Sequence, residues 1–150
     1  MSDQQKLTGG CLCAAVRYEA VGKPLQVAHC HCERCRRSTG AAFATGVCFP
    51  VEAVTWVQQI PTRYQSSGNF SRLFCSNCGS SVAQHNQDTA TMWLLVGTLD
   101  HPESVTPELH IFTQEQLSWA KLDNGLPCHP TFAPTSKRKE GDESFPPELD

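Results

Sequence analysis

Seven cysteines fall into three short clusters: Cys11-Leu12-Cys13, Cys30-His31-Cys32-Glu33-Arg34-Cys35 and Cys75-Ser76-Asn77-Cys78. In an extended segment residues two apart share a face, so Cys11 with Cys13, and Cys30 with Cys32, can aim two sulfurs at one point. The CxxC spacing achieves the same at a tight turn or a helix start. Gly79, directly after Cys78, permits the turn that points backbone N–H groups at sulfur. CxC pairs make poor internal disulfides, because their side chains run parallel rather than facing. Clusters of this kind hold metal, and zinc suits all-thiolate sites.

A closed structural zinc site takes four ligands, whereas a reactive one keeps three and an open position. Seven cysteines divide as four and three. A CxC with a CxxC gives the four, Cys11, Cys13, Cys75 and Cys78. Cys30, Cys32 and Cys35 are left as an open, candidate catalytic triple, for an expected two zinc ions per chain. The competing division, a ribbon of Cys32/Cys35 with Cys75/Cys78, strands three cysteines in CxC leftovers. Three thiolates quench the Lewis acidity of their ion, so water activation is a poor fit. A bound thiol, lowered in pKa and kept nucleophilic, is a better one.

Arg34, Arg36 and Arg37 crowd the same turn, followed by Ser38, Thr39 and Gly40. Arg36, Ser38 and Gly40 are the candidate contacts for a small anionic thiol, since guanidinium grips carboxylates in bidentate fashion. The rings of His29 and His31 point away from the sulfurs of Cys30 and Cys32 if the segment is extended, so packing is their expected role. Cys48, among apolar neighbours, is expected in the core, and Cys128 reads as a spare thiol. His85, His101, His110 and His129 have no ligand spacing.

The elements that must position these groups are mostly strands. Val16 and Tyr18 alternate with Arg17 and Glu19, and segments 43–49, 53–57, 70–74, 91–99 and 108–112 are rich in β-branched and aromatic residues. The one convincing helix is short, about Glu33 to Thr39, with Gly40 where it would end. The expected fold is mainly β, of short antiparallel strands that turn often, with little continuous core, which raises the value of a metal staple. Residues 7–130 form the expected domain, 1–6 an extension. Residues 131–150, with prolines, the basic run Lys137-Arg138-Lys139 and scattered acids, are expected to be a flexible tail.

Composition narrows the partners. A chain of 150 residues holds one ordinary domain, and a net charge of -3 argues against non-specific nucleic-acid binding. No run approaches the roughly 18 apolar residues of a membrane helix. MSDQQKLTGG lacks the apolar stretch of a secretory signal. A cytoplasmic protein is expected, in which nine cysteines signify metal or thiol chemistry rather than a disulfide framework. A homo-oligomer is compatible with this composition.

GGCLC, AHCHCERCRRSTGAAF, FCSNCGSSV and ELHIFTQEQLSW…NGLP together resemble the glutathione-dependent formaldehyde-activating family, which includes the centromere protein V-like domain. The resemblance spans about residues 7–130. It implies a β-tent fold shared with zinc-dependent chaperone-like modules. It also implies structural zinc on Cys11, Cys13, Cys75 and Cys78 and active zinc on Cys30, Cys32 and Cys35. The implied activity is carbon–sulfur lyase chemistry that forms or breaks S-(hydroxymethyl)glutathione, with glutathione or another small thiol as partner. The alternative from a different class is a non-catalytic zinc module that binds a thiol or a partner protein. The intact triple favours the enzyme, because a purely structural protein has no use for an unsaturated site.

Overall fold

The structure is a computed structural model in which residues 5–133 are described. Its strands are β1 (Lys6–Gly10), β2 (Arg17–Val21), β3 (Gln26–Cys30), β4 (Ala44–Pro50), β5 (Val54–Trp56), β6 (Thr62–Gln65), β7 (Phe70–Phe74), β8 (Ser81–Asn86), β9 (Thr91–Leu95) and β10 (Leu109–Ile111), with one α-helix, α1 (Glu33–Thr39). The mainly β architecture expected from the sequence is met. The strands form a three-stranded sheet, β1-β2-β5, and a seven-stranded sheet, β10-β3-β4-β9-β8-β7-β6. Neighbours are antiparallel except β10, which runs parallel to β3.

The large sheet is covered on both faces except at its edge strand β6, whose residues are exposed. Val27, Val47, Phe49, Leu73, Met92 and Leu94 point to one side and pack against Leu7, Tyr18 and Ala20 of the small sheet. Alternation along the strands sends Ala28, Ala44, Gly46 and Leu95 to the other side, where α1 lies and a cavity opens. α1 ends at Gly40, whose φ of 69° is left-handed and whose N–H bonds Arg36 O at 2.8 Å.

The packed body continues past residue 130. Phe112 N–H bonds Thr131 O at 3.0 Å, Phe132 meets Phe112 edge-on and Ala133 is buried. Three apolar or small residues on an apolar strand end suffice to hold that stretch. Lys137-Arg138-Lys139 lies outside the described residues. Among those residues no helix is long and apolar enough to cross a membrane.

The two sheets are also joined at the surface. Arg17 Nη1 donates to Asp100 Oδ1 at 2.9 Å, Arg17 Nη2 donates to Oδ2, and Thr8 Oγ1 donates to Oδ2 at 2.7 Å. The Arg17 guanidinium, then the Thr8 hydroxyl, hold the Asp100 carboxyl down at about 2. A folded value below the ordinary 3.8 means that the stabilisation is present above that pH and is lost as pH falls through about 2. The pair faces solvent, so its contribution is at most ~1 kcal/mol. Asp100→Asn is expected to lower the melting temperature at neutral pH by ~2–4 °C and to flatten the acid limb of a pH–melting profile. Parallel profiles for the variant and wild type would refute this.

Candidate functional site

The loop after β1 and the turn between β7 and β8 bring Cys11, Cys13, Cys75 and Cys78 together, all four sulfurs within 4.8 Å of one another. Cys13 Sγ lies 3.6 Å from Cys11 Sγ and 3.8 Å from Cys75 Sγ. A zinc tetrahedron with bonds of about 2.3 Å has edges of about 3.8 Å, so the donor set fits that ion. Its surroundings aim donors at the sulfurs. Val16 N–H reaches Cys11 Sγ at 3.2 Å, and the N–H groups of Asn77 and Cys78 reach Cys75 Sγ at 3.4 and 3.5 Å. Asn77 Nδ2 donates to Cys13 Sγ at 3.2 Å. The Ser80 hydroxyl, 3.2 Å from Cys78 Sγ, together with backbone N–H bonds, brings that thiol down to about 5. Gly79 closes the turn at φ 78°.

The second cluster sits where β3 passes into α1, on the other face of the large sheet. Cys30 ends β3, Cys32 is the helix N-cap and Cys35 lies one turn on; their sulfurs fall within 4.8 Å of one another. Cys32 Sγ accepts the Cys35 N–H at 3.2 Å, so one side chain both caps the helix and faces the cluster. Cys35 Sγ is 3.3 Å from Cys30 Sγ. Arg72 Nη1 on β7 and Gln84 Nε2 on β8 each donate to Cys35 Sγ at 3.7 Å. Bonding from the Cys30 and Cys32 thiols, with Arg72 beside it, holds Cys35 well below the ordinary thiol range. The Cys32 and Cys35 thiols push Cys30 up. At Cys32 the bond with Cys30 lowers the thiol, but Cys35 and burial together carry it up to about 12. Of the three sulfurs, Cys35 is the one that Arg72 and Gln84 face.

All three sulfur-bearing residues line a cavity of about 420 Å³, whose polar lining is Glu33, Arg34, Arg72, Gln84, Gln114 and Glu115. Arg36, Ser38 and Gly40, expected as ligand contacts, are not among its lining residues. Arg36 and Ser38 lie in α1 and Gly40 caps it. Arg36 O accepts the Gly40 cap, and Ser38 O accepts Ser81 Oγ at 2.7 Å, which pins the helix to β8. Ser38 borders a separate hollow with Arg34, Arg37 and Arg72.

The histidines pack. His29 and His31 each stack on His110, with ring centroids 4.9 and 5.2 Å apart, and neither lines the cavity. His31 Nε2 is 2.9 Å from His110 Nδ1, and His110 Nε2 is 3.1 Å from Asn124 Oδ1. Burial, then His110 and His31, bring His29 down to about 4. Cys48 is buried in β4, and Cys128 is exposed. His85 borders Arg63, 3.0 Å away.

Spacing did not single out Arg72 or Gln84. Their only signal is a polar residue at an alternate position of a strand whose two faces are both covered.

A family model describing glutathione-dependent formaldehyde-activating enzyme matches residues 6–115. The chain belongs to this family. Both thiolate clusters lie inside the matched segment, and of the cavity lining only Phe132 lies beyond it. An uncharacterized lyase of Schizosaccharomyces pombe is 32% identical over 74 residues, 49% of this chain and 53% of that protein. The match thus spans about half the length of that relative. The crystal structure of a Rhodobacter sphaeroides protein is similar in fold to this formaldehyde-activating family member, with a TM-score of 0.54 at 22% identity. It covers 81% of this chain and 98% of its own.

Proposed function

We propose that the chain is a zinc-dependent carbon–sulfur lyase acting on glutathione adducts such as S-(hydroxymethyl)glutathione. Zinc on Cys11, Cys13, Cys75 and Cys78 would be structural, and zinc on Cys30, Cys32 and Cys35 would serve the reaction. The observation that carries this is the triple, in which three converging sulfurs line a cavity and leave a fourth ligand position for an entering thiol. Membership of the family and the lyase named in fission yeast support the same chemistry.

When bound, the second zinc supplies a site where the glutathione sulfur is held as thiolate. The chain supplies the rest. Arg34 and Arg72 on the cavity wall suit the two carboxylates of glutathione, and Glu33 and Glu115 suit its ammonium. In the cleavage direction the C–S bond breaks with its electron pair going to sulfur. The adjacent hydroxyl loses its proton to solvent, and the carbonyl forms; addition is the reverse. Holding both partners in one cavity provides the proximity term. Arg72 and Gln84 keep negative charge at Cys35 paired as sulfur charge develops nearby.

The test is metal content with a cobalt-substituted form titrated with glutathione. Two ions per chain, one for each cluster, and a glutathione-dependent change in the cobalt spectrum are expected. One ion per chain, or a spectrum indifferent to glutathione, would reject the proposal. Two ions and a glutathione response without turnover of S-(hydroxymethyl)glutathione would leave the non-catalytic thiol-binding module.

A further inference from the structure

We infer that the carbon group carried on sulfur is a bulky apolar one, and that the preferred substrates are hemithioacetals of aromatic or branched aldehydes rather than the formaldehyde adduct. This rests on the glutathione-adduct function just proposed and specifies its substrate class.

The cavity floor is unusually small in its side chains. On the face of the large sheet that carries Cys30, Ala28 pairs with Gly46 and Cys30 pairs with Ala44, so three small residues sit together beside the sulfur. The hollow they leave is walled by Phe70, Trp93, Leu95, Ile111, Phe112 and Phe132. Trp93 lies over the floor: a Cβ placed at Gly46 would meet Trp93 Cε3 at 3.0 Å. The bare position 46 thus lets the indole lie down on the sheet, and a side chain there would push it up into the cavity.

Size and polarity then decide between occupants. The cavity measures about 420 Å³. A hydroxymethyl group is about the size of one water, which takes ~30 Å³ in the liquid, so beside it the aromatic walls would face only the polar peptide of glutathione and water. A dry cavity of ~150 Å³ already accepts a benzene ring, so a ring-bearing group fits with room for part of the peptide. Apolar walls with a few converging polar groups at the reacting end describe a site that gains by taking an apolar group out of water. The polar lining residues Arg34, Arg72, Glu33 and Glu115 face the glutathione peptide, Arg72 while also donating to Cys35 and Glu33 while also paired with Arg37.

The chemistry is unchanged and needs no redox partner. The C–S bond breaks with both electrons on sulfur, the hydroxyl proton leaves to solvent, and an aryl or branched aldehyde forms in place of formaldehyde.

Two stable thioethers test the size preference by calorimetry on the zinc-loaded protein, with no turnover needed. S-benzylglutathione is expected to bind at least ~10-fold more tightly than S-methylglutathione. Gly46→Val is expected to bring the two affinities within ~3-fold by weakening only the benzyl ligand. Ala44→Leu fills the same floor and repeats the test if Gly46→Val does not fold. Equal affinities in the wild type, or a benzyl preference that survives both filled floors, would overturn the inference while leaving glutathione as ligand. If neither thioether binds but benzyl mercaptan outcompetes 2-mercaptoethanol by the same ratio, the apolar pocket stands and the glutathione function falls. If no probe binds, both fall.

Discussion

Removing the ion from Cys11, Cys13, Cys75 and Cys78, by a strong chelator or by Cys75→Ser, is expected to unfold the protein. Cys75 is fully buried, and with Cys11 it belongs to the same core cluster as Leu7, Val16, Tyr18 and Leu73. The four sulfurs join the loop after β1 to the β7–β8 turn, a link between residues 62 apart in sequence at Cys13 and Cys75. Such a link removes loop-closure entropy from the unfolded chain. Structural zinc contributes ~10–16 kcal/mol in small peptides, against a whole-domain stability of ~5–15 kcal/mol. Emptying the site also leaves several N–H donors aimed at sulfurs that take up protons, which weakens those bonds. A fall in melting temperature of more than ~10 °C is expected on complete zinc removal, and Cys75→Ser should behave as the chelated wild type does. A melting curve unchanged after metal analysis shows no zinc would refute the structural role.

The cysteine clusters were legible because ligand spacing is a local property. CxC on an extended segment and CxxC at a helix start bring sulfurs together before any tertiary contact is made. The same holds for α1, whose Cys32 cap and Gly40 stop are adjacent in the chain. What was not legible depends on the large sheet having two covered faces. In such a sheet apolar/polar alternation no longer separates inside from outside. Arg72 in the FSRLF strand carries no mark of its place in the cavity at Cys35. β8, with Gln84 and Asn86 buried among apolar neighbours, lacked a strand signature for the same reason. His110 gave no ligand spacing because its partners are 79 and 81 residues away, brought close by the parallel β10–β3 register that sets His110 beside His29. Arg36, Ser38 and Gly40, within about a turn and a half after Cys35, lie outside the lining of the cavity, where Gly40 ends the helix and Ser38 docks it on β8.

On the proposed function the four-sulfur cluster serves stability and the triple serves the chemistry, and Cys35→Ser is the substitution that reads the difference. Cys35 is buried at 3% exposure, but its packing partners are Ala44, Leu95, Cys30 and Cys32 in a small cluster distinct from the main core. Serine is close to cysteine in size, so α1 keeps its Cys32 cap and its Ser81 anchor. The hydroxyl does not ionise as a thiol does and is a poor zinc donor. Arg72 and Gln84 then face a neutral oxygen in place of a sulfur that holds negative charge. Changing residues that merely support a metal ligand already costs 10–100-fold in affinity or activity, so loss of the ligand itself is expected to lower turnover of glutathione adducts by at least ~100-fold. The melting temperature should shift by less than ~5 °C, since the main core and the four-sulfur cluster are untouched. Cys128→Ser, at an exposed thiol away from both clusters, should match the wild type in both measurements. Full turnover in Cys35→Ser would remove the triple from the reaction. Loss of turnover together with a collapse in melting temperature as large as that of Cys75→Ser would make the triple a second structural staple instead.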